Sequence, residues 1–190
     1  MCLEKEVFLR HSDVHLWPAR ISGLSAHSIP AGRSISDAAA LMRHLLDTSI
    51  LSNITKPVPS PQLLEWMAEQ PDEALFISSL SLAEIRRGIW EKPVGKKRKE
   101  LEHWFRSPEG PQSLFRGRVL PFDERAALVW ARLMSLGTAA GRPRSAFDMV
   151  VAAIAEVNDC VVVTDNEEHF PGLQLLNPLR LPGRKESSTG

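Results

Sequence analysis

The chain has 190 residues, 43% hydrophobic and 24% charged, with 23 basic and 23 acidic side chains that cancel formally. Such a length and balance suit one globular domain with tails, and two cysteines are too few for a disulfide framework, which points to a reducing, cytoplasmic setting. The longest apolar stretch, Met149 to Ala155, is far short of the roughly 20 residues a membrane-spanning helix needs, and the first residues lack the apolar region of a signal peptide.

Residues 1–41 mix His, Ser, Pro, Gly and Arg without a sustained period, whereas strong patterning starts at Met42. The leader is therefore expected to be disordered or non-native, with Met42 as a candidate native start. The domain is expected over 42–180, and 181–190, rich in Pro, Gly, Ser and charge, as a disordered tail. Within the domain, Arg43–Leu46, Leu75–Ser78, Val119–Phe122, Cys160–Thr164 and Leu173–Leu176 read as strands. Helices are expected between them. Pro61–Glu69 has Ser60 as cap and Pro61 at its first position. Asp123–Ala140 opens on Asp-Glu and closes near Gly141. This alternation implies an α/β fold, with a mostly parallel sheet of about five strands flanked by helices.

Ligands in such sheets bind at the carboxyl ends of the strands, where Asp47 and Asp165 both fall. Glu84, in a helix expected to start at Ser81, and Asp148, in one starting at Ser145, are brought to the same edge. Each has a plainer explanation, because Ser81-x-x-Glu84 fits a capping box and Ser145-x-x-Asp148 imitates one. Asp47 ahead of Thr48 and Ser49 could likewise be a turn former. In the second acidic helix, Phe147, Val150, Val151 and Ile154 are expected to form the buried stripe. Crowded carboxylates repel one another unless a hard divalent cation neutralises them, which suits Mg²⁺, with Mn²⁺ as substitute. The histidines show no zinc-ligand spacing. The implied chemistry is phosphodiester hydrolysis.

From Arg86 to Arg118 there are ten Lys and Arg against four acids. A basic rim beside an acidic metal site is what a nuclease requires, although a solvated helix face explains the run equally well. Arg86 and Arg87 are the candidates for RNA contact. Trp90, Trp104 and Phe105 are expected in the core or against a partner rather than on bases.

Taken in order, Leu45-Leu-Asp-Thr-Ser-Ile-Leu-Ser52, Ala83-Glu-Ile-Arg-Arg-Gly88, Val119-Leu-Pro-Phe-Asp123, Phe147-Asp-Met-Val-Val-Ala-Ala-Ile-Ala155 and Leu176-Asn-Pro-Leu179 resemble the PIN-domain family, in particular its VapC-type and FitB-like toxins. The resemblance implies a Mg²⁺-dependent ribonuclease acting as the toxin of a toxin–antitoxin pair, with RNA as substrate, an antitoxin protein as partner and a homodimer as assembly. It implies Asp47 and Asp148 as metal ligands, Glu84 beside them, and Thr48 and Thr164 as supports. The family places a fourth acid two residues after the strand-end threonine, where this chain has Asn166; Asp165 comes one residue early, and His169 stands where relatives often have an acid. Either Asp165 substitutes or Asn166 supplies a neutral oxygen. Two alternatives remain from the residues: a PIN-like module without turnover that binds nucleic acid with its antitoxin, and an aspartate-nucleophile phosphatase built on Asp47, which lacks a second acid nearby.

Overall fold

The computed structural model describes residues 42–54, 56 and 58–181, so the expectations for the leader and the tail lie outside the described residues. In chain order the elements are β1 (Arg43–Leu46), α1 (Thr48–Ile54), α2 (Pro61–Glu69), β2 (Leu75–Ser78), α3 (Ser79–Trp90), α4 (Lys96–Arg106), α5 (Pro111–Leu114), β3 (Val119–Leu120), α6 (Glu124–Ala139), α7 (Ala146–Val157), β4 (Cys160–Val163) and β5 (Leu175–Leu176). Short 3₁₀ turns cover Asp72–Ala74, Glu167–His169 and Pro178–Arg180.

All five strands are parallel, in the order β3-β2-β1-β4-β5. The chain builds outward from β1 to β3 and then crosses back to place β4 on the other side of β1. The switch point of the sheet therefore lies between the carboxyl ends of β1 and β4, where open parallel sheets hold ligands. Alternation along the strands sends neighbouring side chains to opposite faces. Leu46, Ile77 and Val163 join α1–α5 in one core, while Leu45 and Val162 join α6 and α7 in the other. Leu45 and Leu46 are fully buried, each contributing roughly 1.5–3 kcal/mol of transfer free energy.

Several local expectations need correction. The third strand stops at Leu120, because Pro121 has no N–H to extend the ladder, and Phe122 is exposed. The fifth is confined to Leu175–Leu176. The helix bearing Glu84 starts two residues before Ser81: Ser78 is its cap, accepting from the Ser81 N–H at 2.9 Å. In α7, Phe147 is exposed while Met149, Val151, Ala152, Ala153, Ile154 and Ala155 are buried. That helix is packed between α6 and β4, so its apolar surface spreads around most of its circumference, and Trp130 of α6 donates to the Ala146 carbonyl in its first turn at 3.0 Å.

The basic stretch is less of a rim than its composition suggests. The Arg118 guanidinium donates to the carbonyls of Asp72, Leu75 and Leu114, tying β3 to the start of β2 and to α5. Arg98 pairs with Glu102 and donates to the Trp90 carbonyl. Trp104 and Phe105 are in the core, whereas Trp90 is 54% exposed.

At the start of β1, His44 is 4% exposed, with its ring edge-on to Trp66 at 5.2 Å and no hydrogen-bond partner for Nδ1 among the described residues. Burial holds its imidazole below the ordinary value.

Candidate active site

Asp47 follows β1 directly, with its N–H donating to the Val163 carbonyl of β4 at 2.9 Å, so the backbone ladder delivers the carboxylate to the switch point. Three donors converge on it. The Thr48 N–H reaches Oδ1 at 2.7 Å, and the Ser49 and Thr164 hydroxyls each reach Oδ2 at 3.0 Å. Burial nevertheless pushes the Asp47 carboxyl above its ordinary range; the bonds from Ser49, Thr164 and Thr48 pull the other way, and the neighbouring Glu84 charge pushes it further up. The capping explanation for Glu84 fails, because it lies in the second turn of α3. There its Oε2 accepts from the Thr48 hydroxyl at 2.7 Å, linking α3 to α1.

Asp148 is placed differently. Ser145 caps α7 by accepting from the Asp148 N–H at 3.4 Å, as its spacing predicts, and the carboxylate, its side chain 15% exposed, turns toward the loop after β4. Its Oδ2 lies 3.2 Å from His169 Nδ1, whose N–H can donate to it, while Nε2 on the same ring is 2.9 Å from the Asn166 side-chain nitrogen and can accept from it. The Asn166 N–H in turn donates to the Thr164 hydroxyl at 3.1 Å. A continuous polar path therefore runs from Asp47 through Thr164, Asn166 and His169 to Asp148. Thr164, fully buried, is its pivot.

Asn166 thus stands inside this path, and Asp165 makes no side-chain hydrogen bond among the described residues. The loop bearing both is anchored from its far side, where Glu167 accepts from Asn177 at 2.7 Å and pairs with Arg180 at 3.2 Å. Sequence reasoning missed Glu167 and the direct role of Ser49. The Asn177-Pro178 turn next to β5 was the available signal for the first.

The two arginines named for RNA contact are engaged within the protein. Arg86 lies over the rings of Trp90 and Phe105, at 4.7 and 5.4 Å, and Arg87 pairs with Glu91 at 3.2 Å.

The side-chain atoms beside Asp47 that could ligate an ion are oxygens, from Glu84, Ser49, Thr48 and Thr164, and its carboxylate is disfavoured both by burial and by repulsion from a second acid. A hard divalent cation suits that combination. Among the described residues no three acidic, histidine or cysteine side chains form a ready-made cluster, since the Asp148 carboxylate faces His169.

Comparison with known proteins is consistent with this arrangement. A family model described as PIN domain matches residues 44–172. "VapC ribonuclease Y4jK" of Sinorhizobium fredii is 32% identical over 136 residues, covering 70% of this chain and 96% of its own length. "Toxin FitB" of Neisseria gonorrhoeae is 32% identical over 126 residues, covering 66% of this chain and 89% of its own. The structure of FitAB bound to a DNA fragment superposes with a TM-score of 0.67 at 29% identity, over 75% of this chain and 99% of that one.

Proposed function

The chain belongs to the PIN-domain family, and from that premise we propose that it is a divalent-metal-dependent ribonuclease, the toxin of a toxin–antitoxin pair acting in the cytoplasm. The observation that carries the reading is Asp47: a carboxylate at the switch point, raised in pKa by burial and by Glu84, and surrounded by oxygen donors. The relatives' names, a ribonuclease and a toxin, support the same reading. The partner that restrains a toxin is, on this reading, an antitoxin protein, and a homodimer is the proposed assembly.

Asp47 and Asp148 would hold Mg²⁺ or Mn²⁺, with Glu84 beside them and Asp165 or Asn166 supplying the remaining protein oxygen. When bound there, such an ion would neutralise the acids and supply Lewis-acid polarisation of a phosphodiester oxygen. The chain's own residues do the rest. Thr48 orients Glu84 so that its carboxylate can accept a proton from the attacking water. Thr164 and Ser49 keep the Asp47 oxygens from turning away from the edge. The Lys and Arg side chains of α4 that remain exposed give the phosphate backbone a favourable field.

Purified protein, freed of any copurified partner, should cleave structured RNA only when Mg²⁺ or Mn²⁺ is supplied, and Asp47→Asn and Asp148→Asn should each lower cleavage by about 10²-fold or more. Cleavage without metal, or undiminished in both variants, would sink the reading. RNA binding with no hydrolysis would favour the module without turnover.

A further inference from the structure

Arg144 lies just ahead of the Ser145 cap, in the loop between α6 and α7, and touches three parts of the molecule. Its guanidinium donates to the Pro171 carbonyl at 3.3 Å and approaches the Met149 sulfur at 3.8 Å. Its aliphatic stem lies on Gly137 of α6, where a Cβ would come within 2.7 Å of Arg144 Cγ and 3.0 Å of Cδ. Gly137 is helical and has no positive φ, so the glycine is required here by close approach rather than by backbone conformation. Met149 follows Asp148 in α7. Pro171 lies two residues after His169, and Phe170 between them is buried in the α6–α7 core.

From this geometry we propose that Arg144 is a positioning residue: it fixes the loop bearing Asp165, Asn166 and His169 against the first turn of α7, and so sets where Asp148 stands relative to that loop. The inference deepens the ribonuclease reading and rests on it for its catalytic consequence, but the placement itself exists without metal or RNA. The physical need is clear from the other contacts. The loop's far side is held by Glu167 with Asn177 and Arg180, contacts that reach toward β5 and away from α7. On the α7 side, apart from the apolar packing of Phe170, the polar attachments among the described residues are the Asp148–His169 pair and the Arg144–Pro171 bond, which is also exposed. The first is made by two site residues and is partly exposed. The second is made by a residue outside the site, and Gly137 gives it a rigid backing. Residues that hold ligating side chains in place commonly change metal affinity or turnover by roughly 10–100-fold when removed.

The test uses the full chain, free of metal. The His169 ring signal in a proton–carbon correlation spectrum is identified by its loss in His169→Gln, and Asp148→Asn should move it in the wild-type background. In Arg144→Met the Asp148→Asn change should move that signal less than half as far, because the two side chains no longer face each other. Gly137→Ala, which displaces the Arg144 stem from the other side, should reproduce the effect and add little to Arg144→Met in the double variant. Arg144→Lys should restore it in part. If either single variant fails to fold, the other carries the measurement. In RNA cleavage, Arg144→Met should lower kcat roughly 10-fold with KM unchanged. An undiminished response of the His169 signal to Asp148→Asn in both single variants would overturn the proposal. So would an unchanged kcat in a protein whose His169 response is lost. A wild type that cleaves no RNA would refute the ribonuclease reading and leave the spectroscopic result to decide the placement.

Discussion

The candidate site has an inner and an outer half that are held by different means. Asp47, Thr48, Ser49 and Glu84 are set by the ends of adjoining strands and helices, with hydrogen bonds of 2.7–3.0 Å among half-buried groups. Asp148, Asn166 and His169 sit on the first turn of a helix and a 3₁₀ loop, joined through one imidazole whose side chain is 49% exposed. The difference teaches which half is sensitive to what. The inner half should respond to charge, because its geometry comes with the sheet. The outer half should respond to placement, because its contacts are few.

The largest expected effect breaks the inner half by charge. Asp47→Asn should reduce cleavage by about 10²–10³-fold, the scale on which a positioned electrostatic group at a reacting centre is felt. In metal-free protein the same change should raise the Tm, because Asn keeps one acceptor oxygen and removes a charge that burial and Glu84 both disfavour. A gain near 1 kcal/mol would appear as about 2–4 °C in a domain of this size. Thermal melts with and without Mn²⁺ check it: a lower Tm for Asp47→Asn without metal would mean that the three donors outweigh the desolvation.

Next comes the pivot. Thr164→Val keeps the shape but takes a donor from Asp47 and an acceptor from the Asn166 N–H. Hydrogen bonds to charged groups contribute about 1.5–3 kcal/mol, so cleavage should fall roughly 10–100-fold, with Thr164→Ser recovering most of it. Steady-state kinetics on the pair would show whether the halves are coupled: if Val and Ser behave alike, they are independent.

The inner half was largely legible from the sequence because it depends on local rules. A strand followed by an acid places Asp47 at the carboxyl edge, and the alternation of elements defines which edge that is. The capping-box pattern at Ser81 misled because Ser78, three residues earlier, competes for the same role and wins through direct continuity of β2 into α3. The outer half was less legible. Whether Asn166 or Asp165 joins the polar path depends on how the loop turns, and that depends on Glu167 and Phe170 within it, on Asn177 ten residues beyond Glu167 and on Arg144, 27 residues before Pro171. Arg118 shows the same limit from another side: composition counts it as a surface cation, but three backbone carbonyls surround its guanidinium.

A smaller effect comes from β1 and the residue that follows it, where His44 and Asp47 titrate with opposite effects on stability. His44 has a lowered pKa in the fold, so its neutral form is favoured there, while the unfolded chain takes up a proton near the ordinary value of 6.5. Its contribution to stability is therefore present above about pH 6.5 and is lost as pH falls below it, at up to about 1.4 kcal/mol per pH unit until the folded value is passed. Asp47 acts in reverse: with its pKa raised above 3.8, its carboxylate weakens the fold as pH climbs through that value toward the folded one. Urea melts of metal-free protein from pH 7.5 to 5 should show the His44 loss, and His44→Leu should flatten it. A slope unchanged in that variant would place the acid sensitivity elsewhere.

The smallest expected effect tests the outer half. His169→Ala removes the imidazole that bridges Asn166 and Asp148, yet exposed ion pairs contribute about 0–1 kcal/mol, so kcat should change by no more than about 5-fold and the Tm by about 4 °C or less. The loop would still be held by Glu167 on one side and Arg144 on the other, and Asp148 would still be aimed by the Ser145 cap. This outcome would mean that what the outer half needs is the position of its loop and not this one contact. A 100-fold loss in His169→Ala with an unchanged Tm would reverse the comparison: the imidazole would then act on the reaction directly, and the outer half would be as dependent on a single group as the inner half is on Asp47.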